Sequence, residues 1–200
     1  MIRLICGTES TWSLRAWMCA HLVGVPFEEQ VIPLGTPGYK AELLKHSDTG
    51  LVPVLDTGRV RIHDSLAICE YLNELAEGTL LPADGDDRAY ARSLCAELHS
   101  GFPVLRTECP FASNGKGKVV KTPEIEKELE RLEAIFAGAQ LPFMFDRAGM
   151  VDAFYAIMAY RLARYDIVLS GRAGDYQRSL LDWDLLKAAV ARAIGWRSVA

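Results

Sequence analysis

The sequence predicts an α/β domain built on a mixed four-stranded sheet, followed by an all-helical domain. Three observations predict it. Over roughly the first eighty residues, short apolar runs and helical patterns follow the order β-α-β-α-β-β-α. Two of the apolar runs flank Asp56-Thr57-Gly58, a hairpin signal. Past Gly78 no strand pattern recurs, and only helical periodicity remains.

Ile2 to Cys6 is apolar apart from Arg3 and closes on Gly7, which reads as a buried strand. Thr8-Glu9-Ser10-Thr11 is rich in helix-capping types. A helical stripe of Leu14, Trp17, Met18, Leu22 and Val25 follows, with Gly24 near its end. Phe27 to Leu34 partly alternates and reads as a second strand. Gly35-Thr36-Pro37-Gly38 is a turn cluster, Tyr39 to about His46 a short helix, and Ser47-Asp48-Thr49-Gly50 a loop. Val52 to Leu55 and Val60 to Ile62 are the two arms of the hairpin. His63-Asp64-Ser65 opens a helix bearing Leu66, Ile68, Cys69, Tyr71, Leu72 and Leu75. A strand–helix–strand crossover demands parallel pairing, whereas a hairpin is antiparallel; one mixed sheet satisfies both.

The predicted boundaries are residues 1–78 for the α/β domain, 79–87 for a linker and 88–200 for the helical domain. Helices are expected over about 88–109, 123–137, 151–169, 175–181 and 183–194. A polar break around Asn114-Gly115-Lys116-Gly117 separates the first two.

Composition narrows the function classes. Half of the 200 residues are hydrophobic and 24% are charged, which suits a packed core. The net charge is −4, and no Lys/Arg cluster is long enough to follow a phosphate backbone, so nucleic acid is not an expected partner. No run approaches the roughly 18 apolar residues of a membrane span, and the start lacks a secretory apolar stretch. The five cysteines, Cys6, Cys19, Cys69, Cys95 and Cys109, form no Cys-x-x-Cys pair, which predicts reduced, buried thiols in a cytoplasmic protein. His21, His46, His63 and His99 show no ligand spacing, so no metal site is expected.

Three features carry chemistry. Ser10-Thr11-Trp12-Ser13 lies where strand one hands over to helix one, beside unpaired N–H groups and the positive end of the helix dipole. Such a place stabilises a thiolate. A free thiol has a pKa of about 8.5, and lowering it by about two units takes roughly 2.7 kcal/mol of anion stabilisation. A hydroxyl hydrogen bond at a helix N-terminus is of that order. Ser10, Thr11 and Ser13 are the candidates, with Ser10 ahead because it precedes the helical stripe; a plain capping role is the alternative for Ser10. Leu51-Val52-Pro53 opens a strand with proline. A cis Val52-Pro53 bond would turn the Val52 backbone outward for a peptide ligand, and an ordinary trans proline is the alternative. Asp64-Ser65 offers a second helix N-terminus, suited to a carboxylate, or else only a cap.

In order and spacing these features resemble the cytosolic glutathione transferases of serine type, bacterial-like in pattern. Ser10-x-x-Ser13-x-Arg15 resembles the serine motif, Gly50-Leu51-Val52-Pro53-Val54-Leu55 the cis-proline segment, and Asp64-Ser65-x-Ala67-Ile68-x-x-Tyr71-Leu72 the signature for the γ-glutamyl end. Ala148-Gly149-Met150-Val151-Asp152-Ala153 resembles the capping segment of the sixth helix. The resemblance covers essentially the whole chain. It implies a thioredoxin-like first domain, glutathione as cosubstrate, Ser10 as the activating residue and Val52, Pro53, Asp64 and Ser65 as its binding residues. Leu51 stands where the family often has Lys or Gln for the glycine carboxylate; Lys45 is the candidate replacement, and an ordinary surface lysine is the alternative. Gly149 stands where a capping Ser or Thr is usual, at a cost of a few tenths of a kcal/mol.

The resemblance also implies a homodimer meeting through Tyr71, its neighbours and the helix from about Arg88. It implies a second-substrate pocket between the domains, with Trp12, Leu105, Arg106, Tyr155 and Met158 as candidates; the alternative is core packing, or for Arg106 a helix surface. The expected reaction is attack of the glutathione thiolate on an electrophile, by conjugation or by thiol-addition isomerisation. The rival expectation is a non-catalytic binding or assembly module on the same scaffold.

Overall fold

The computed structural model describes residues 1–111 and 117–198. β1 (Ile2–Gly7) pairs in parallel with β2 (Phe27–Ile32), with Ile2 opposite Phe27 and Gly7 opposite Ile32. β3 (Val54–Asp56) runs antiparallel to β1, and β4 (Arg61–Ile62) antiparallel to β3. The order β2-β1-β3-β4 is the mixed sheet that the sequence predicts.

α1 (Thr11–Val23) is the crossover. It stops at Gly24, whose φ of 68° is left-handed, so glycine ends the helix without Cβ strain. α1 packs against α3 (Ser65–Leu75), and α2 (Tyr39–Leu44) packs on β2. Ile5, Ile32, Leu43 and Val54 form one core cluster, edged by Leu34, Tyr39 and Val52. Strand residues alternate in direction, so Leu4, Cys6 and Leu55, all fully buried, lie on the opposite face. α1 is buried on more than its predicted stripe, because Ala16, Cys19 and Ala20 are enclosed beside Leu14, Trp17 and Met18. All five cysteines are free and buried.

Residues 1–80 form one compact unit together with 188–200, and residues 81–187 form a second. The second unit contains α4 (Gly85–Ser100), α5 (Pro103–Glu108), α6 (Pro123–Ala137), α7 (Met150–Arg164), α8 (Gly171–Asp182) and the start of α9 (Asp184–Arg197). α4 packs on α7, α5 on α6, and α8 on both α6 and α7. The helix expected over 88–109 is two helices. Phe102 has φ 57°, and Pro103 lacks the N–H that an uninterrupted helix would need, so the chain breaks at Gly101-Phe102. α4 starts earlier than predicted because Asp84 caps it, accepting from Asp86 N at 2.9 Å and Asp87 N at 3.0 Å. α7 ends before Asp166, at φ 55°. Of the predicted polar break, residues 112–116 lie outside the described residues.

Gly149 offers α7 no capping side chain, and Asp152 compensates. Its carboxylate accepts from Gly149 N at 2.9 Å, Met144 N at 2.8 Å and the Tyr176 hydroxyl at 2.7 Å. Asp152 is 1% exposed, and burial pushes its carboxyl up to about 6 against the pull of those three donors.

Candidate active site

Ser10 is the N-cap of α1. It has extended φ/ψ of −82° and 106°, and its Oγ accepts from Ser13 N at 3.2 Å. A hydroxyl has one donor and two acceptor sites. The cap bond uses one acceptor, and among the described residues the Ser10 O–H donates to nothing. The N-terminus of α1 brings the positive end of its helix dipole to the same place. The result is a hydroxyl donor and a positive helix end side by side, the chemistry an anionic sulfur needs.

The other two hydroxyls are placed differently. Ser13 is fully buried, and its Oγ accepts from Gly7 N at 3.1 Å, which ties α1 to the end of β1. Thr11 is 7% exposed at the first helical position.

Gly7 also brings the second feature close. A Cβ at Gly7 would lie 2.6 Å from Leu34 Cδ1 and 2.7 Å from Val52 Cγ2, so only glycine lets the Val52 loop sit against β1. The Val52-Pro53 bond is cis, as the resemblance to the cis-proline segment implies, and not the ordinary trans alternative. The ladder to β1 starts at Val54, so the Val52 backbone lies beyond the sheet's own pairing. Leu51 is 68% exposed. Lys45 is exposed, and its ammonium pairs with Glu42 at 2.5 Å.

Asp64 is the N-cap of α3. Its Oδ1 accepts from Leu66 N at 2.9 Å and Ala67 N at 3.3 Å. Ser65 follows at the first helical position, fully buried, with an Oγ that has no hydrogen-bond partner among the described residues. A buried hydroxyl without a partner is costly, and a rotation about χ1 re-aims it.

The candidates for a second substrate fall into two groups. Leu105 and Tyr155 are fully buried and Met158 is 2% exposed. The Tyr155 hydroxyl donates to Leu94 O at 3.0 Å, and its ring meets Phe136 edge-on. Trp12 and Arg106 are half-buried. The Arg15 guanidinium lies 4.5 Å from the centroid of the Trp12 ring. Arg106 donates to the carbonyls of Leu98 and His99, at the C-terminal end of α4. Burial lowers its pKa, and Glu128 opposes the shift.

Sequence reasoning missed Glu29. Its carboxylate accepts from Trp17 Nε1 at 2.9 Å, Trp196 Nε1 at 2.9 Å and Arg192 Nε at 2.8 Å, joining β2, α1 and the end of α9. Burial pushes the Glu29 carboxyl up, and the three donors outweigh it, leaving it below the usual value. The available signal was phase: Glu29 lies on the same strand face as Phe27 and Val31, and an acid there needs partners. Among the described residues, no group of three or more His, Cys, Asp or Glu is placed to hold a metal ion, and no helix is long and apolar enough to cross a membrane.

Comparison with known proteins fits this geometry. The family model described as the glutathione S-transferase N-terminal domain matches residues 9–75. Maleylacetoacetate isomerase of Rhizobium meliloti is 30% identical over 174 residues, which are 81% of this chain and 82% of that protein. Glutathione S-transferase 1 of Dianthus caryophyllus is 40% identical over 165 residues, 78% of this chain and 74% of its own length. Among solved structures, a glutathione transferase homolog from Burkholderia gl BGR1 with bound glutathione superposes with a TM-score of 0.71 at 23% identity, covering 97% of this chain and 98% of that one. With its thioredoxin-like sheet domain and helical second unit, this chain belongs to the glutathione S-transferase family.

Proposed function

We propose that this chain is a glutathione-dependent transferase of serine type, in which Ser10 stabilises the thiolate of glutathione for attack on an electrophilic carbon. The observation that carries the reading is the Ser10 O–H, uncommitted as a donor at the N-terminus of α1. The Ser10 hydroxyl donates to the sulfur anion, and the first-turn N–H groups add the field of the helix end. Residues 1–78 hold the tripeptide. Its cysteine backbone pairs with Val52 ahead of Pro53, its γ-glutamyl carboxylate meets Ser65 at the start of α3, and its ammonium meets Asp64. Lys45 exchanges the exposed carboxylate of Glu42 for the glycine carboxylate, a swap that costs little at the surface.

The electrophile is recognised by residues of 88–200, with half-buried Arg106 favouring an anionic or carbonyl-bearing substrate. The sulfur forms a bond to carbon. In conjugation that bond is kept, and a halide leaves or the enone takes up a proton. In isomerisation the double bond becomes single, rotates, and re-forms as the C–S bond breaks and returns the thiolate. The isomerase among the relatives supports the second course. The protein works as a cytoplasmic homodimer.

Retention on immobilised glutathione, followed by turnover of an aromatic halide and of a cis-enone diacid with and without glutathione, tests the proposal. Glutathione-dependent product in either assay is expected. Retention without turnover of any electrophile in a broad panel would favour a binding module instead.

A further inference from the structure

Glu9 immediately precedes Ser10, has φ 58°, and is exposed. Its carboxylate receives a hydrogen bond from Arg197 Nη2, the last residue of α9. An exposed ion pair alone does little. This one is anchored, because the neighbouring Trp196 is 1% exposed and bonded to Glu29, as are Arg192 one turn earlier and Trp17 on α1. Buried indole bonds thus deliver a guanidinium to Glu9. All of these residues lie in the unit of 1–80 and 188–200.

Resting on the reading of Ser10 as the activating residue, we infer that Arg197 is a positioning residue for thiol activation: it neutralises and fixes Glu9, whose charge would otherwise oppose a thiolate at Ser10. Consecutive Cα atoms are about 3.8 Å apart, and the two side chains add a few ångströms each, so the Glu9 carboxylate lies within a distance on the order of 10 Å of an anion held by Ser10, about a Debye length. A like charge at that range, part-screened by solvent, raises a thiol pKa by about half a unit. The end of α9 belongs, on this view, to the chemistry of the first domain. Its sequence signal is an acid beside the activating serine and an arginine following a buried tryptophan near the C-terminus.

The test is the titration of the thiolate absorbance of bound glutathione in the full-length protein. Arg197→Ala should raise the thiol pKa by about half a unit and slow turnover near neutral pH by up to about threefold, with recovery at alkaline pH. Arg197→Lys should restore the parent value. Adding Glu9→Gln to Arg197→Ala should bring the pKa back to within about 0.2 units of the parent, because the opposing charge is gone. A loss caused by loosening of α9 alone would persist in that double variant and would overturn the inference. So would an unchanged pKa in Arg197→Ala where the parent thiolate still depends on Ser10. A thiolate that titrates alike in the parent and Ser10→Ala removes the Ser10 reading itself, and the inference with it.

Discussion

At Asp152, two physical effects pull in opposite directions, and burial wins. Its carboxyl is pushed up to about 6, above the ordinary aspartate value of 3.8. Between those values the folded chain keeps a proton that the unfolded chain has released. The contribution of Asp152 to stability is therefore full at and below about pH 4, falls as pH rises to about 6, and is flat above that. The span corresponds to about 3 kcal/mol if Asp152 acts alone. Urea midpoints for the parent and Asp152→Asn at several pH values check it, since the parent-minus-variant difference should shrink as pH rises through this window. A difference independent of pH would show that the carboxylate stays ionised. At the other helix start, Asp64→Ala with Ser65→Ala should weaken glutathione binding, with about 1 kcal/mol of stability lost with the cap. Calorimetric titration with glutathione measures the first effect and thermal unfolding the second. Unchanged affinity would reduce this pair to a cap.

The elements that carry the candidate site are held together by a few polar ties rather than by apolar area alone. Glu29 is the clearest, receiving two indoles and a guanidinium from α1 and α9. Glu29→Gln halves its acceptor capacity and removes the charge, and should cost about 2–3 kcal/mol. Thermal unfolding followed by tryptophan emission should show a lower midpoint and a shift in the Trp17 and Trp196 environment; an unaltered midpoint would mean that α9 is held by packing. The sheet and α1 were legible because period-two and period-3.6 patterns are local: Leu4 and Ile5 in β1, Leu14, Trp17 and Met18 in α1. The two capping sites at Ser10 and Asp64 were legible for the same reason, since an N-cap bonds within its own first turn. The break at Phe102 was not, because a left-handed φ in an aromatic residue has no local signature. Glu29 and Arg197 were hidden because they bond to Trp196 and Glu9, which lie 167 and 188 residues away in the chain.

At the scale of the whole molecule, the homodimer is the expectation to check. Leu75 at the end of α3 and Tyr90 on α4 are 46% and 49% exposed, apolar surface of the kind that interfaces cover. Sedimentation at micromolar concentration should give twice the 22.1 kDa of the chain, whereas a monomer throughout would contradict the proposed assembly. The most direct measurement of thiol activation is the pH titration of the thiolate absorbance of bound glutathione in the parent and in Ser10→Ala. Losing one hydrogen bond to an anion, worth about 1.5–3 kcal/mol, should raise the thiol pKa by about one to two units. Glutathione affinity should stay nearly constant, and the neutral-pH rate should fall roughly ten- to a hundredfold and recover at alkaline pH. Superimposable titrations in the two proteins would contradict the assignment and leave Ser10 as the cap of α1.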